Sequence, residues 1–248
     1  MSKTKIPDKL FKYGSLDKTS FCENGKPKEP NDPQSKYERF LDIIKNNHIY
    51  AGIFSKMNDP MEGTYKSIEG NIQEDIKKEL SKEKSINRFC SLSTSNKFVL
   101  MWAYYAEGHK GYCIEIDTNE SHIEKKDLVK IKYNNDRPKY DPSKDEMAEN
   151  FVRTLLSRKY TDWAHEDEWR YFVRHDTYWR QVKISKVYIG AGVLDKDFKN
   201  IEKDIKKINN SIEVVHMKKS DFFDEHIDTS NKLKCKNMTK KIKSLICK

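Results

Sequence analysis

Two hydrophobic periods alternate irregularly along this chain, and that irregularity limits the fold more than any other feature. A period of two marks a half-buried strand, and a period near 3.6 marks a helix with one apolar face. Strand patterns fall at residues 10–16, 48–54, 86–94, 112–117, 127–133, 168–173, 186–193 and 211–217. Helical spacing falls on Tyr37, Phe40, Leu41 and Ile44, on Ile68, Ile72, Ile76 and Leu80, and over 96–106, 143–160 and 195–208. Some strands follow one another directly and others are separated by helices, with no repeating unit. That order does not give the rhythm of a doubly wound parallel sheet. It predicts an α+β fold with a mixed, mostly antiparallel central sheet and peripheral helices.

Local punctuation agrees. Pro27, Pro30, Pro33 and Gly25 make residues 22–35 a surface loop, Asn58-Asp59-Pro60 signals a turn, and Ser143 with Glu146 forms a capping box opening a helix. Met147, Phe151 and Leu155 would be that helix's inward stripe. The chain reads as one α+β domain over 1–228, followed by a basic tail over 229–248, helical or disordered.

Composition sets the kind of core. Only 36% of the 248 residues are apolar, but 13 Tyr, 11 Phe and 4 Trp bring large buried areas, so the core should be thin and aromatic. No run of about 18 apolar residues is present, so no membrane span is expected. Five cysteines without a Cys-x-x-Cys pair, and a start lacking a secretory apolar run, point to free thiols in the cytoplasm. The net charge of +9 comes mostly from 40 Lys, a solubility feature that also attracts polyanions such as nucleic acid. Seven Lys and no acid occupy 229–248, and Arg170, Arg174 and Arg180 fall close to Trp163, Trp169 and Trp179.

Several motifs could carry chemistry, each beside a plainer reading. Glu166 and Glu168 sit at the threshold of a strand, where alternate residues point the same way, so both carboxylates and Arg170 would face one site. Paired carboxylates suit acid–base work or stabilisation of an oxocarbenium-like cation. They equally suit a charged strand end with Arg170 pairing Glu168. Asn58-Asp59-Pro60 with Glu62 is a turn, or a loop presenting polar groups to a ribose or base. Ser93-Thr94-Ser95 either caps the next helix or holds a phosphate or ribose. Trp102, Tyr104 and Tyr105 are core residues or rings stacking a base. The seven His lack ligand spacing, so no metal is expected. Walker, dinucleotide-glycine and nucleophile-elbow motifs are absent.

The ordered set Lys12-Tyr13, Asn58-Asp59-Pro60-x-Glu62, Cys90-Ser-x-Ser93, Met101-Trp-x-x-Tyr-Ala106, Gly111-x-Cys-Ile-Glu115, Lys159 through Arg170 and Val187-x-Ile-Gly190 resembles a widespread bacterial domain-of-unknown-function family over about residues 8–195. A more distant likeness is to the ADP-ribosyltransferase superfamily. That resemblance implies a split sheet and NAD as substrate, with the first-strand role on Lys12 or Tyr13, the serine motif on Ser93-Thr94-Ser95 and the acidic motif on Glu166 and Glu168. It implies that Glu168 steadies the ribosyl cation, Glu166 positions the acceptor, and Ser93 and Tyr13 contact the nicotinamide ribose. Asn58, Asp59 and Arg170 would help bind NAD, and Trp102 or Tyr105 would stack its ring. The superfamily usually carries Arg or His where this chain has Lys-Tyr. The context implied is a toxin or phage-defence effector acting on a nucleic-acid or protein acceptor or on water, with an antitoxin or regulator as partner. Two rivals remain open: a metal-dependent nuclease or nucleic-acid-binding protein using Asp59, Glu115, Asp117 and Glu168, and a non-catalytic interaction module contacting partners through Trp179 and Arg180.

Overall fold

The computed structural model describes residues 5–17, 35–54, 57–59, 61–67, 74–121, 123–124, 126–141, 147–173 and 178–222. The loop at 22–34, the start of the helix expected from 68, the Ser143/Glu146 box and the tail at 229–248 lie outside them. The chain divides into two compact units, residues 1–217 and 218–248. The described part of the second is residues 218–222, which hold the short 3₁₀-helix Lys219–Phe222.

In the first unit, chain order is β1 (Lys9–Gly14), α1 (Lys36–Asn46), β2 (His48–Tyr50), β3 (Gly52–Ile53), β4 (Lys66–Ser67), α2 (Glu74–Ile86), β5 (Arg88–Leu92), α3 (Val99–Tyr105) and β6 (Tyr112–Asp117). Then come β7 (Leu128–Lys130), β8 (Lys132–Tyr133), β9 (Lys139–Tyr140), α4 (Ala148–Leu155), β10 (Arg158–Lys159) and the 3₁₀-helix Thr161–Glu166. The unit closes with β11 (Trp169–Val173), β12 (Trp179–Gln181), β13 (Lys183–Ile189), α5 (Asp195–Ile208) and β14 (Glu213–His216).

The architecture is α+β, with a mixed, mostly antiparallel arrangement of strands. One four-stranded sheet runs β1-β6-β13-β14, and a second runs β3-β5-β11-β7. They touch where β1 meets the end of β5, through paired hydrogen bonds between Phe11 and Ser93 of 2.8 Å each. On either side of that bridge the two strands belong to different sheets, so the seam opens. Lys12 fills part of the gap by donating from Nζ to the Ser91 carbonyl at 3.2 Å.

Alternation along the strands builds two cores. Leu10, Ile114, Ile116, Val187 and Ile189 of the first sheet join Leu92, Trp169 and Tyr171 of the second against Phe40, Ile43 and Ile44 of α1 and Ile201 and Ile205 of α5. The opposite face of the second sheet sends Phe89 and Phe172 against Leu80 of α2 and Phe151, Val152 and Leu155 of α4. Met147, expected in that stripe, is 66% exposed instead. α1 begins with a reciprocal box, since Ser35 Oγ accepts from the Glu38 amide and Glu38 Oε2 accepts from the Ser35 amide.

Two segments read as single strands are each divided. Residues 48–50 pair with β12, whereas 52–53 pair with β5. Residues 128–130 pair with β11, whereas 132–133 pair with β10. In both the chain changes hydrogen-bonding partner midway, which local periodicity does not encode.

Candidate functional site

The second sheet's α4-facing side carries charge where its alternation predicts side chains. Glu168 and Arg170 share that side with Phe172, across from Ser91 and Phe89 in register. Arg170 is fully buried, with its guanidinium 4.2 Å from the centre of the Phe89 ring. It grips Glu168 through Nε (2.8 Å) and Nη2 (3.2 Å), donates from Nη1 to the Leu156 carbonyl (2.6 Å), and pairs with Glu62 Oε1. Lys159 of β10 then bridges Glu168 (3.0 Å) and Glu166 (2.5 Å). Glu166 Oε1 accepts from the Tyr105 hydroxyl at 2.5 Å, and that hydroxyl also meets the Asn58 side chain. An unbroken chain therefore runs Glu62–Arg170–Glu168–Lys159–Glu166–Tyr105–Asn58.

Three carboxylates against two cations would leave this cluster one negative charge. Burial pushes the Glu62 carboxyl up despite Arg170. Burial would also raise Glu168, but Arg170 and Lys159 outweigh it and hold its carboxyl well below the usual range. The Tyr105 phenol is pushed up by burial and then by Glu166, which keeps its proton on the oxygen.

At the outer end lies an open cleft of about 360 Å³, lined by Asn58, Tyr104, Tyr105, Asp162, Trp163 and His165. The rings come from the end of α3 and from the 3₁₀-helix Thr161–Glu166. His165 lies 6.2 Å from both Tyr104 and Trp163, ring centre to ring centre. Its Nδ1 faces the Asp162 carbonyl at 3.0 Å, and its Nε2 is occluded with no hydrogen-bond partner among the described residues.

The structure brings several anticipated residues together, but not in the expected way. Ser93 is fully buried and donates from Oγ to the Glu166 carbonyl (2.7 Å), so β1, Ser93 and the Glu-x-Glu converge. Ser93-Thr94-Ser95 does not cap α3, whose N-cap is Phe98; Thr94 bonds Asp167 instead. The Glu-x-Glu is not an extended pair: Glu166 closes a 3₁₀-helix and Asp167 is left-handed, with φ of 42°. The two carboxylates still meet, on Lys159. Both are 2% exposed and neither lines the cleft; Glu166 is joined to it through the Tyr105 hydroxyl. Arg170, expected to help hold a ligand, is an interior residue.

Trp102 is also interior, 0% exposed, with its indole N–H on the Asn96 carbonyl and its ring edge-on to Tyr13 at 5.4 Å. Helical spacing identified the aromatic run, but the exposed ring is Tyr104, at 61%. Tyr13 donates to the Ser95 carbonyl at 2.7 Å and lies away from the cleft, as does Lys12. Asn58 lines the cleft. Asp59 closes its own turn by accepting from the Met61 amide at 2.9 Å, and Glu62 reaches the interior. Trp163 opens the Arg/Trp-rich run over 163–180, whose composition suits ring stacking, whereas Asp162 and His165 carry no ligand signal in the sequence. Of the nuclease rival's acids, Glu115 is held on the first sheet by Lys9 (2.6 Å), Ser185 (2.8 Å) and Tyr188 (2.7 Å). Among the described residues, no group of three or more His, Cys, Asp or Glu is placed to hold a metal, and no helix is long and apolar enough to cross a membrane.

Comparison with known proteins adds one finding. No curated protein and no solved structure matches the chain. Residues 101–171, which run from α3 to β11 and include Tyr105, Lys159, Glu166, Glu168 and Arg170, match the family model described as "Protein of unknown function (DUF2971)".

Proposed function

We propose that this chain is an ADP-ribosyltransferase-like enzyme that binds NAD in the aromatic cleft and cleaves the bond between nicotinamide and ribose. The observation that carries the reading is the convergence of β1, Ser93 and Glu166 where the two sheets part, directly behind a cleft lined by Tyr104, Tyr105 and Trp163. Rings in such a cleft suit a flat heterocycle.

The geometry favours Glu166 over Glu168 as the reacting carboxylate. Glu166 is separated from the cleft by the Tyr105 hydroxyl alone in the hydrogen-bonded chain. A ribose hydroxyl can replace that hydroxyl as the donor to Oε1. In the reaction the ribose C1′–N bond breaks, its electron pair stays with nicotinamide, and the carboxylate steadies the ribosyl cation. The oxygen or nitrogen of an acceptor then bonds to C1′ and loses its proton. Lys159, fixed by Glu168, holds Glu166 in place.

A second reading has its own support: both carboxylates are ion-paired and 2% exposed, which suits a module that holds a flat ring without cleaving anything. One experiment separates the two. Purified protein is incubated with NAD, with and without nucleic-acid and protein acceptors, and free nicotinamide is measured. Calorimetry measures binding. The enzyme reading expects nicotinamide release, lowered about a hundredfold or more by Glu166→Gln in a folded protein. NAD bound but intact supports the module, and intact NAD with no heat of binding removes both.

A further inference from the structure

The cleft's wall runs against the charge of the chain it belongs to. The protein carries 48 Lys and Arg against 39 acids. Yet the described residues that line the cleft, Asn58, Tyr104, Tyr105, Asp162, Trp163 and His165, include no Lys and no Arg. The one acid among them, Asp162, is exposed, and no ion pair engages its carboxylate among the described residues. One ammonium does sit behind the wall, with Lys159 Nζ 5.2 Å from the centre of the Trp163 ring. It is buried, and its charge is met by Glu166 at 2.5 Å and Glu168 at 3.0 Å. The cleft is therefore a locally negative place on a basic protein.

The rest of the wall is aromatic, and the face of an aromatic ring is its electron-rich side. Tyr104 and Trp163 are tilted against His165 by 59° and 32°, so the imidazole is not stacked over either ring. Ring faces beside a carboxylate suit a cation whose charge is spread through a ring or screened by methyl groups. Such a cation is weakly hydrated and loses little on leaving water. A neutral group of the same shape gains only dispersion there, and an anion is repelled.

We infer that this cleft selects an organic cation, an N-alkylpyridinium or a quaternary ammonium group, over the neutral group of the same shape. The inference deepens the NAD reading, on which it rests for the choice of cleft, because the nicotinamide ring of NAD is an N-alkylpyridinium. Asp162 and the rings of Tyr104 and Trp163 become the residues that set the charge preference.

The test is calorimetry on the full chain with two matched pairs at constant ionic strength. One pair is the 1-methylnicotinamide cation against nicotinamide, and the other is choline against its neutral carbon analogue 3,3-dimethylbutanol. The cation of at least one pair should bind about tenfold more tightly than its neutral partner. Tyr104→Leu keeps apolar bulk but removes the ring, and should lower that ratio about threefold. Asp162→Asn should lower it by a similar factor, one that shrinks as salt rises. Circular dichroism of each variant separates loss of preference from loss of fold. Preference in the pyridinium pair alone identifies a flat cation, and in the ammonium pair alone a rounded one; either supports the inference. Equal affinities within both pairs, no binding by any probe, or a ratio unchanged in both folded variants overturns it. Nicotinamide release from NAD is measured in parallel. Release without a cation preference ends this inference and leaves the NAD reading standing, whereas a preference for choline with NAD unbound ends the NAD reading alone.

Discussion

The hydrogen-bonded chain from Asn58 to Glu62 crosses from solvent to interior, and its two ends are built from opposite materials. At the outer end rings are left in water, with Tyr104 61% exposed beside an open cleft. At the inner end charges are taken out of water, with Arg170 0%, Glu168 2% and Glu62 5% exposed. Each choice costs folding free energy compared with the reverse arrangement. Burying an ion costs several kcal/mol before its partners offset it, and an exposed ring forgoes about 25 cal/mol for each Å² of apolar surface left wet. The difference teaches where rigidity is needed. Glu166 sits at the boundary, held from behind by Lys159 and from in front by Tyr105, so the inner cluster fixes a carboxylate that the outer rings can offer to a ligand.

Removing the inner clamp breaks that comparison most strongly. Arg170→Met leaves Glu168 and Glu62 facing each other in the second core without a guanidinium, and also orphans the Leu156 carbonyl. Uncompensated buried charge costs about 3–5 kcal/mol, so urea unfolding should show a loss of that order. Adding Glu62→Leu and Glu168→Leu removes the charge together with its partner and leaves Lys159 paired with Glu166 alone. That triple variant should recover more than half of the loss. Equal loss in the single and triple variants would mean that packing on Phe89, not charge, sets the stability.

Acid sharpens the same contrast, because two carboxyls of one cluster shift in opposite directions. Glu168 is held down from 4.5 to about 2 by Arg170 and Lys159 against its own burial. A lowered folded-state value gives stability that is present above the unfolded value and lost as pH falls from 4.5 toward about 2. For a fully buried group the amount is roughly 3 kcal/mol. Glu62 is raised by burial, so its contribution has the other sign: present at low pH and lost as pH rises through its folded value. Denaturant midpoints across the acid range should therefore fall less steeply for Glu168→Gln than for the parent. Glu62→Gln should lose little in acid and keep more of its stability on going to neutral pH. Identical pH profiles for the two variants would contradict the assignment.

How much of this was legible depends on whether the cause is local. β6 (Tyr112–Asp117) and α5 (Asp195–Ile208) were readable because alternation, a turn glycine and an acidic first turn are all written within the element. The divided strands were not, because what ends β2 at Tyr50 and β7 at Lys130 is the partner strand. The Glu-x-Glu pair failed as an extended motif because Asp167 turns left-handed, a backbone choice that favours Gly and Asn but is open to Asp. Trp102 and Tyr104 show the limit of helical spacing: it groups rings on a helix without saying which side meets the sheet. The expectation that β1, Ser93 and the acidic pair would meet came from motif order in a resemblance. No periodicity could have supplied it.

The smallest expected effect on stability lies at the outer end, in Tyr104→Ala. Tyr104 meets the His165 ring at 6.2 Å and is mostly in water, so truncation should change unfolding free energy by no more than about 0.5 kcal/mol. Its effect on a stacked ligand should be much larger. A base–ring contact is worth about 1–3 kcal/mol, so the Kd for NAD should rise roughly tenfold in calorimetry while urea unfolding scarcely moves. Arg170→Met should behave in the reverse sense, with stability lost first and binding lost only as the fold fails. If Tyr104→Ala unfolds the protein as readily as a core truncation, the cleft wall is part of the packed interior. The division between a rigid charged backing and a wet aromatic front would then not hold.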